Sequence, residues 1–467
     1  MNNKVKSEQK LNLKKNQEIS LTIEDFTKEG EGLGKYQGFP FFVKDTVIGD
    51  EVRVSITKLK KNYGYARLVE IVTPSKDRVT PPCPVARQCG GCKLQQISYE
   101  KQLSFKKSLV EGCLMRIGGF GKEDIEQKME PVYGMEEPWH YRNKAQFPVA
   151  PLGGGLTAGF FKKGTHEVIP VERCLIQPPC ADRAKSLVLR WAREYRVAPY
   201  DETTHSGLLR HIFVRHAAAT GEVSVCLVVN GARLPREKEL IALLRAELPG
   251  VRSITLNCNT RKGNSVLGET TRILWGAEAI EDLLCGLRFR ISPRSFYQVN
   301  RAQAEVLYGK ALDAAALNGT ETVLDLYCGT GTITLCAAKR AKQVIGVEVV
   351  DAAIADAKQN ARRNNIENAR FFCADAGQAA QQLSDEGIRP DVIIVDPPRK
   401  GVSAEVIDAI DKMTPSRVVY VSCDPATLAR DVRLLSAKGY ALRSAEAVDL
   451  FPRCAHVETV CLLERGE

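Results

Sequence analysis

Cys423 ends an apolar run in Val421-Ser422-Cys423-Asp424-Pro425, and Glu458 stands in His456-Val457-Glu458-Thr459. A thiolate adds to an electron-poor carbon, and a carboxylate can take a proton from the carbon beside it. Upstream, Asp325-Leu326-Tyr327-Cys328-Gly329-Thr330-Gly331 has the form of a strand running into a tight turn. Without side chains at Gly329 and Gly331, backbone can approach a ligand closely. A thiol, a carboxylate and a methyl donor held at that turn point to methylation at carbon. An unactivated pyrimidine carbon cannot simply take a methyl group: its ring must first be made electron-rich by a thiolate, and must later lose a proton. Cys423 and Glu458 would supply those two steps.

The glycine turn is weak evidence by itself. A dinucleotide fingerprint wants a third glycine where this chain has Thr334, which disfavours NAD. Glu348 is placed to accept hydrogen bonds from ribose hydroxyls, and Asp375 to reach the adenine amine; together they make the S-adenosylmethionine pattern. Asp396-Pro397-Pro398-Arg399-Lys400-Gly401 follows an apolar strand, and its prolines stiffen a turn that would hold Asp396 between donor and substrate. Strand ends are often polar, so any one of these residues could be chance. Tyr327, Glu348, Asp375, Asp396 and Cys423 at the ends of successive strands are harder to dismiss.

The elements that must position these residues alternate regularly from about residue 291 to 467. TVLDLYC, QVIGVEV, RFFCAD, DVIIVD and RVVYVSC read as strands, each followed by an amphipathic helical stretch. Such alternation gives a parallel sheet covered on both faces, with ligands at the carboxyl ends of the strands. ALRSAEAVDLF and HVETVCLLE have no helix between them and are expected to close the sheet as an antiparallel hairpin.

The first half of the chain is organised differently. Residues 1–15 read as a disordered basic leader. EISLTIEDF, FPFFVKD, EVRVSITKL and YGYARLVEIV, broken by the glycine-rich stretch Gly30 to Gly38, predict a small OB-like β-barrel over residues 16–74. Residues 75–290 read as a central mixed α+β domain, with helices near 99–116, 181–195 and 237–247 and strands in YRNKAQFPVA, GGLTAGFFKK and HIFVRHA.

Composition narrows the partners. The 467 residues carry 66 Lys and Arg against 56 Asp and Glu, a formal charge of +10 that favours a polyanion. Lys58, Lys60, Lys61 and Arg67 interleave with Tyr63 and Tyr65, a mixture suited to phosphates and stacked bases. The polar, basic N-terminus lacks the apolar core of a secretory signal, and no apolar run is long enough to span a bilayer, so a cytoplasmic protein is expected. Fifteen cysteines without such a signal argue for metal binding, catalysis or buried thiols rather than disulfides. Cys83, Cys89 and Cys92 fall within ten residues, with Gly90 and Gly91 permitting a tight wrap. A fourth ligand, from afar, would complete a site for zinc or an iron–sulfur cluster. Their spacing is not that of radical S-adenosylmethionine enzymes.

DLYCGTG, VDPPRKG, VSCDPATLARD and HVETV, in this order, resemble the RNA uracil-5-methyltransferase family, and SPRSFYQVN at 292–300 resembles that family's lead-in to the methyltransferase domain. The resemblance extends through YRNKAQFPV, GLLRHIFVR and the cysteines, and the first barrel resembles a TRAM domain. It implies an α/β architecture: a TRAM barrel, a central domain with a four-cysteine cluster, and a C-terminal Rossmann-like class I methyltransferase domain. It makes Cys423 the nucleophile and Glu458 the base, with Gln298, Tyr327, Glu348 and Asp396 around S-adenosylmethionine. Asp375 falls where the family has an amide or an acid.

By the same resemblance Phe296 stacks on a flipped base, and Arg142 and Lys144 join Lys58, Lys60, Lys61 and Arg67 in binding RNA. Cys174 becomes the fourth cluster ligand, with Cys180 and Cys113 as rivals, and the metal becomes [4Fe-4S] rather than zinc. The barrel and the cysteines point to 23S rRNA as substrate. The tRNA T-loop uridine is the alternative, and a non-catalytic ribosome-assembly factor is the reading of another class. Neither a membrane nor an obligate protein partner is implied.

Overall fold

The computed structural model describes residues 12–153 and 155–466. Most of the expected leader, residues 1–11, lies outside the described residues, and Leu13 already packs against the barrel core. The chain divides into two compact units. One holds the residues up to Arg87 together with Cys92–Phe105 and Arg453–Ala455; the other holds Gln88–Gly91, Lys106–Pro452 and the chain from His456 on.

In the first unit β1 (Glu18–Phe26), β2 (Gly32–Tyr36), β3 (Phe39–Val43), β4 (Glu51–Leu59) and β5 (Gly64–Thr73) close a barrel in the order β1-β2-β3-β5-β4. Strict alternation turns Ile19, Leu21 and Ile23 inward against Val52, Val54 and Ile56. Strand β2 lies within the glycine-rich stretch that reads in the sequence only as a break. Its glycines are there because β1 passes too close for a side chain: a Cβ on Gly34 would stand 2.5 Å from both Leu21 Cδ1 and the Thr22 carbonyl oxygen.

Helix α1 (Tyr99–Cys113) runs into a single π turn, Leu114–Gly118, and α2 (Lys122–Lys128) follows. The central sheet comprises β6 (Lys144–Leu152), β7 (Gly155–Phe161), β8 (Val168–Pro170), β9 (Leu209–Ala217), β10 (Glu222–Val229), β11 (Val251–Cys258) and β12 (Thr270–Gly276). Among the described residues its order is β12-β11-β10-β9-β6-β7-β8, antiparallel except for β10 with β11. Helices α3 (Pro179–Glu194) and α4 (Glu237–Glu247) bury Trp191, Val188, Leu240 and Leu244 against it.

The hairpin β13 (Ile280–Leu284) and β14 (Leu287–Ile291) packs with helix α5 (Arg301–Ala315) into the core of the last layer. There β15 (Thr322–Leu326), α6 (Thr332–Ala338), β16 (Gln343–Glu348), α7 (Asp351–Arg363), β17 (Ala369–Cys373), α8 (Ala376–Asp385), β18 (Val392–Val395), α9 (Ala404–Met413), β19 (Arg417–Ser422) and α10 (Pro425–Ala437) alternate as their sequence predicts. The chain ends with β20 (Tyr440–Val448) and β21 (Glu458–Arg465). The sheet order is β17-β16-β15-β18-β19-β21-β20, parallel through β19. The hairpin does not simply add to the edge: β21 inserts between β19 and β20, antiparallel to both.

Candidate active site

That insertion brings together the two candidate catalytic residues. Ser422, the last residue of β19, lies opposite Thr459 of β21, so one further step in register sets Cys423 facing Glu458. On its other side Glu458 pairs with Val448. Cys423 is half-buried where the strand turns into α10. Asp424 fixes that turn, accepting the backbone N–H groups of Ala426 at 2.9 Å and Thr427 at 3.1 Å, with Pro425 at the first helical position. Burial pushes the Cys423 thiol up to about 11, the Glu458 and Asp396 carboxylates add to the rise, and Arg399 opposes it. Glu458 is buried, and burial, reinforced by Asp396, lifts it to about 8 against the pull of Arg399 and Lys106. Asp396 itself is raised to about 7 by burial.

The loop after Asp396 is tied down from α10. Asp431, fully buried, accepts Val402 N–H at 2.9 Å and the Tyr420 hydroxyl at 2.7 Å. Gly401 has φ +77°, and a Cβ there would stand 2.3 Å from the Asp431 carboxylate. Only glycine fits, which explains a residue the sequence leaves as a turn former.

The glycine turn after β15 has the features of a cofactor cradle. Tyr327 is held at φ +70°, a strained conformation for a non-glycine residue. Gly331 caps α6 in the left-handed region, while nothing lies within 4 Å of a Cβ built on Gly329. Glu348 receives Gly329 N–H at 3.2 Å and Val350 N–H at 2.9 Å, which steadies its carboxylate beside the open turn. Asp375 caps α8 with one oxygen, accepting Gly377 N–H at 3.0 Å, and leaves the other for a ligand. Beneath them Asp325, bonded to the Thr334 hydroxyl at 2.5 Å, keeps one buried oxygen without a partner and is raised by burial to about 7. Open backbone, two anchored carboxylates and an unpartnered buried oxygen suit a cationic, nucleoside-bearing cofactor.

The segment before α5 is braced by the central sheet. The buried Arg215 of β9 donates to the Ser295 carbonyl at 2.5 Å and to that of Pro293 at 3.3 Å. Asn143 donates to the Gln298 carbonyl at 2.7 Å, and Asn300 caps α5. Phe296 is thereby left 68% exposed. The buried Tyr308 hydroxyl meets Thr332 at 3.3 Å and is influenced by the charge of Asp396 and by the Gln298 side chain. Neither Tyr308 nor Arg215 stands out in the sequence, because a tyrosine in an amphipathic helix and an arginine in a strand have no local signature.

Residues 269–466 match the model of the tRNA (uracil-5-)-methyltransferase family, and residues 12–69 match the TRAM domain. Along 97% of its length the chain is 47% identical to an uncharacterized RNA methyltransferase of Listeria innocua, of which 98% is covered. It is 45% identical, over 97% of both chains, to another from Clostridium tetani. The chain belongs to the RNA uracil-5-methyltransferase family. It is an S-adenosylmethionine-dependent RNA methyltransferase. The crystal structure of Pyrococcus abyssi tRNA (uracil-54, C5)-methyltransferase, bound to S-adenosyl-L-homocysteine, superposes with a TM-score of 0.75 at 27% identity. That likeness covers 95% of this chain and all of the archaeal one.

The cations singled out in the sequence lie in two places. Lys144 of β6 lies opposite Arg215 in register, and Arg142 is two residues away. Burial depresses the Lys144 ammonium to about 8, and the neighbouring charges of Arg215 and Arg142 add to the drop. Cations crowded in this way are relieved by a phosphate. On the barrel Lys58, Lys60, Lys61 and Arg67 are exposed. They flank an aromatic group in which Phe42, Tyr63 and Tyr65 meet with ring centroids 5.4–5.6 Å apart. Phe42 escapes a sequence reading because it comes from β3, more than twenty residues from the tyrosines.

The expected four-cysteine cluster is not shown by the structure. Among the described residues no group of three or more His, Cys, Asp or Glu is arranged to hold a metal ion. Cys89, bridged to Lys162 at the end of β7, is near enough to influence the Cys174 thiol, which burial raises to about 11. Cys83 and Cys92 belong to the other compact unit. Of the rivals, Cys113 is part of a hydrophobic core and Cys180 is raised to about 11 by burial. No helix among the described residues is long and apolar enough to cross a membrane.

Proposed function

We propose that this enzyme methylates C5 of uridine in 23S rRNA, at one or two positions, through a covalent adduct on Cys423. The observation that carries the reading is the β19–β21 register, which faces Cys423 with Glu458 beside the cofactor cradle. S-adenosylmethionine, when bound, supplies an electrophilic methyl group. Asp325, Tyr327, Gly329, Gly331, Glu348, Asp375, Asp396 and Gln298 are the residues that would hold it.

The protein's own part begins with extrusion of the uridine, since C5 and C6 cannot be reached in a stack. Phe296, projecting into solvent, offers the ring a stacking face. Arg399 favours the ionised forms of both Cys423 and Glu458. The Cys423 thiolate adds to C6; the S–C6 bond forms and the C5–C6 π pair becomes an enolate centred on C5. That carbon would take the methyl group, whose bond to the donor's sulfur breaks with the electron pair left on that sulfur. Glu458 then accepts the C5 proton, the freed pair re-forms the C5–C6 double bond, and the C6–S bond breaks with its electrons returning to sulfur.

The tRNA T-loop uridine is the second reading. It is favoured by the Pyrococcus neighbour, a tRNA enzyme whose likeness runs through the barrel and central regions, so these parts do not separate the two substrates. Mass-spectrometric mapping of 5-methyluridine in RNA from a deletion strain decides: loss from 23S rRNA alone supports the proposal, and loss from the T-loop alone rejects it. Transfer of labelled methyl to unmodified RNA would exclude a non-catalytic assembly factor. The [4Fe-4S] reading of Cys83, Cys89, Cys92 and Cys174 rests on spacing and resemblance, and no step of the reaction passes through it. Iron and acid-labile sulfide in anaerobically purified protein would support it, and stoichiometric zinc would reject it. A cytoplasmic location fits an RNA substrate.

A further inference from the structure

Lys106 lies far from Glu458 in sequence yet shares its surroundings. Its side chain is fully buried, and so is that of Asp449, with which its ammonium is paired. The same ammonium donates to the Phe451 carbonyl at 3.1 Å. Asp449 directly follows Val448, the cross-strand partner of Glu458. A lysine brought by helix α1 is therefore locked onto the strand end beside the proposed base, and its charge acts on the Glu458 carboxyl. A buried ion pair is a poor source of stability, because desolvating two charges offsets their attraction. Its placement is better explained by what its field does to a neighbour.

We infer that the Lys106–Asp449 pair is a positioning device that sets the pH range in which Glu458 acts as a base. The inference rests on the reading of Glu458 as the group that takes the C5 proton. Among the described residues, Asp396 and Arg399 after β18 and Lys106 on α1 act on Glu458, Cys423 faces it from the β19 end, and Asp449 directly follows its cross-strand partner Val448. His456 precedes it by two residues, with its ring edge-on to Phe451. Lys106 favours the ionised carboxylate, and the opposite charge of Asp449, next to the cross-strand partner of Glu458, would act against that pull. Removing either half must move Glu458, and the two removals must move it in opposite directions.

Release of the methylated base is the step to read. Glu458 takes the C5 proton, the C5–C6 double bond re-forms, and the C6–S bond breaks to give thiolate. The full-length enzyme is loaded with S-adenosylmethionine and a uridine-containing RNA, and adduct decay is followed from pH 6 to 10. The wild-type release rate should rise with pH as Glu458 ionises. In K106M the acidic limb should shift upward by about one unit, and in D449N downward by a similar amount. K106M/D449N, which leaves no unpaired buried charge, should return near the wild-type limb. The amount of adduct formed reports folding independently of release. If K106M does not fold, D449N and the double variant still carry the test. Limbs that stay fixed, or move the same way in both single variants, overturn the inference while leaving Glu458 as the base. Glu458→Gln release as fast and as pH-dependent as the wild type would instead overturn the reading of Glu458 itself.

Discussion

The two large sheets contain the same number of described strands and use them in opposite ways. In the C-terminal sheet the strands through β19 are parallel, so every carboxyl end reaches one edge, where Tyr327, Glu348, Asp375, Asp396 and Cys423 collect. The central sheet is mostly antiparallel, so successive strand ends go to opposite edges and cannot gather. Its side chains meet across neighbouring strands instead, as Lys144 does with Arg215. Charge follows the same division. The parallel edge holds buried carboxyls raised to about 7 and 8. In the central sheet Lys144 is instead crowded by the cations Arg215 and Arg142. One arrangement suits bond making and the other suits gripping a polyanion.

The comparison predicts that damage to the parallel edge stops chemistry and damage to the cations weakens binding. The largest effect is expected for Cys423→Ala, which should bind RNA and cofactor but lose turnover by at least about four orders of magnitude, since covalent activation is removed. No protein–RNA band should survive denaturation. Turnover within tenfold of the wild type would remove Cys423 from the reaction.

Glu458→Gln should fail later. The ring is still attacked and methylated, so a labelled, denaturation-resistant adduct should accumulate while release slows by about 100-fold or more. The adduct should vanish in the double variant with Cys423→Ala. The same substitution gives a test without substrate. A carboxyl raised from 4.5 to about 8 contributes stability that is present below 4.5 and lost as the pH rises through about 8. Glu458→Gln should therefore be more stable than the wild type at pH 9, by on the order of 1–3 kcal/mol, and should lose that advantage near pH 5. Equal denaturation midpoints at pH 9 would contradict the burial of this carboxyl.

Smaller effects belong to the cationic surfaces. Arg142→Ala with Lys144→Ala should weaken RNA binding by about tenfold at moderate salt and flatten its salt dependence by up to roughly two phosphate contacts, with adduct formation at saturating RNA little changed. An equal loss at saturating RNA would mean that these residues serve the chemistry. Alanine at Lys58, Lys60, Lys61 and Arg67 together should cost about threefold in affinity, because fully solvated cations are screened. An unchanged salt slope there would reduce the barrel's cations to a solvated surface.

Much of the molecule is legible in the sequence because its signals are local. The strand–helix alternation after residue 291, the glycine turn at Gly329 and Gly331, and the strand end at Cys423 all depend on neighbours in the chain. So does α4, whose span from Glu237 to Glu247 follows from its amphipathic pattern. Strand β2 is hidden because its glycines answer to β1 rather than to any local preference. Tyr308, Arg215 and Phe42 are hidden because each acts on a partner distant in the chain. The cysteine spacing gives a local signal that the described structure does not turn into a metal site.

The sequence by itself determined which residues stand at the ends of which strands, since hydrophobic periodicity and turn chemistry are short-range. Only the tertiary structure decided that β21 enters between β19 and β20. That choice of strand neighbour turns two separated residues, Cys423 and Glu458, into a facing pair. It also brings Asp449, and with it Lys106 from α1, to the side of Glu458. The physical reason is that strand pairing is settled by long-range burial: β21 is apolar on both faces, with Val460, Cys461 and Leu463 buried, and is satisfied in the interior of the sheet rather than at its edge.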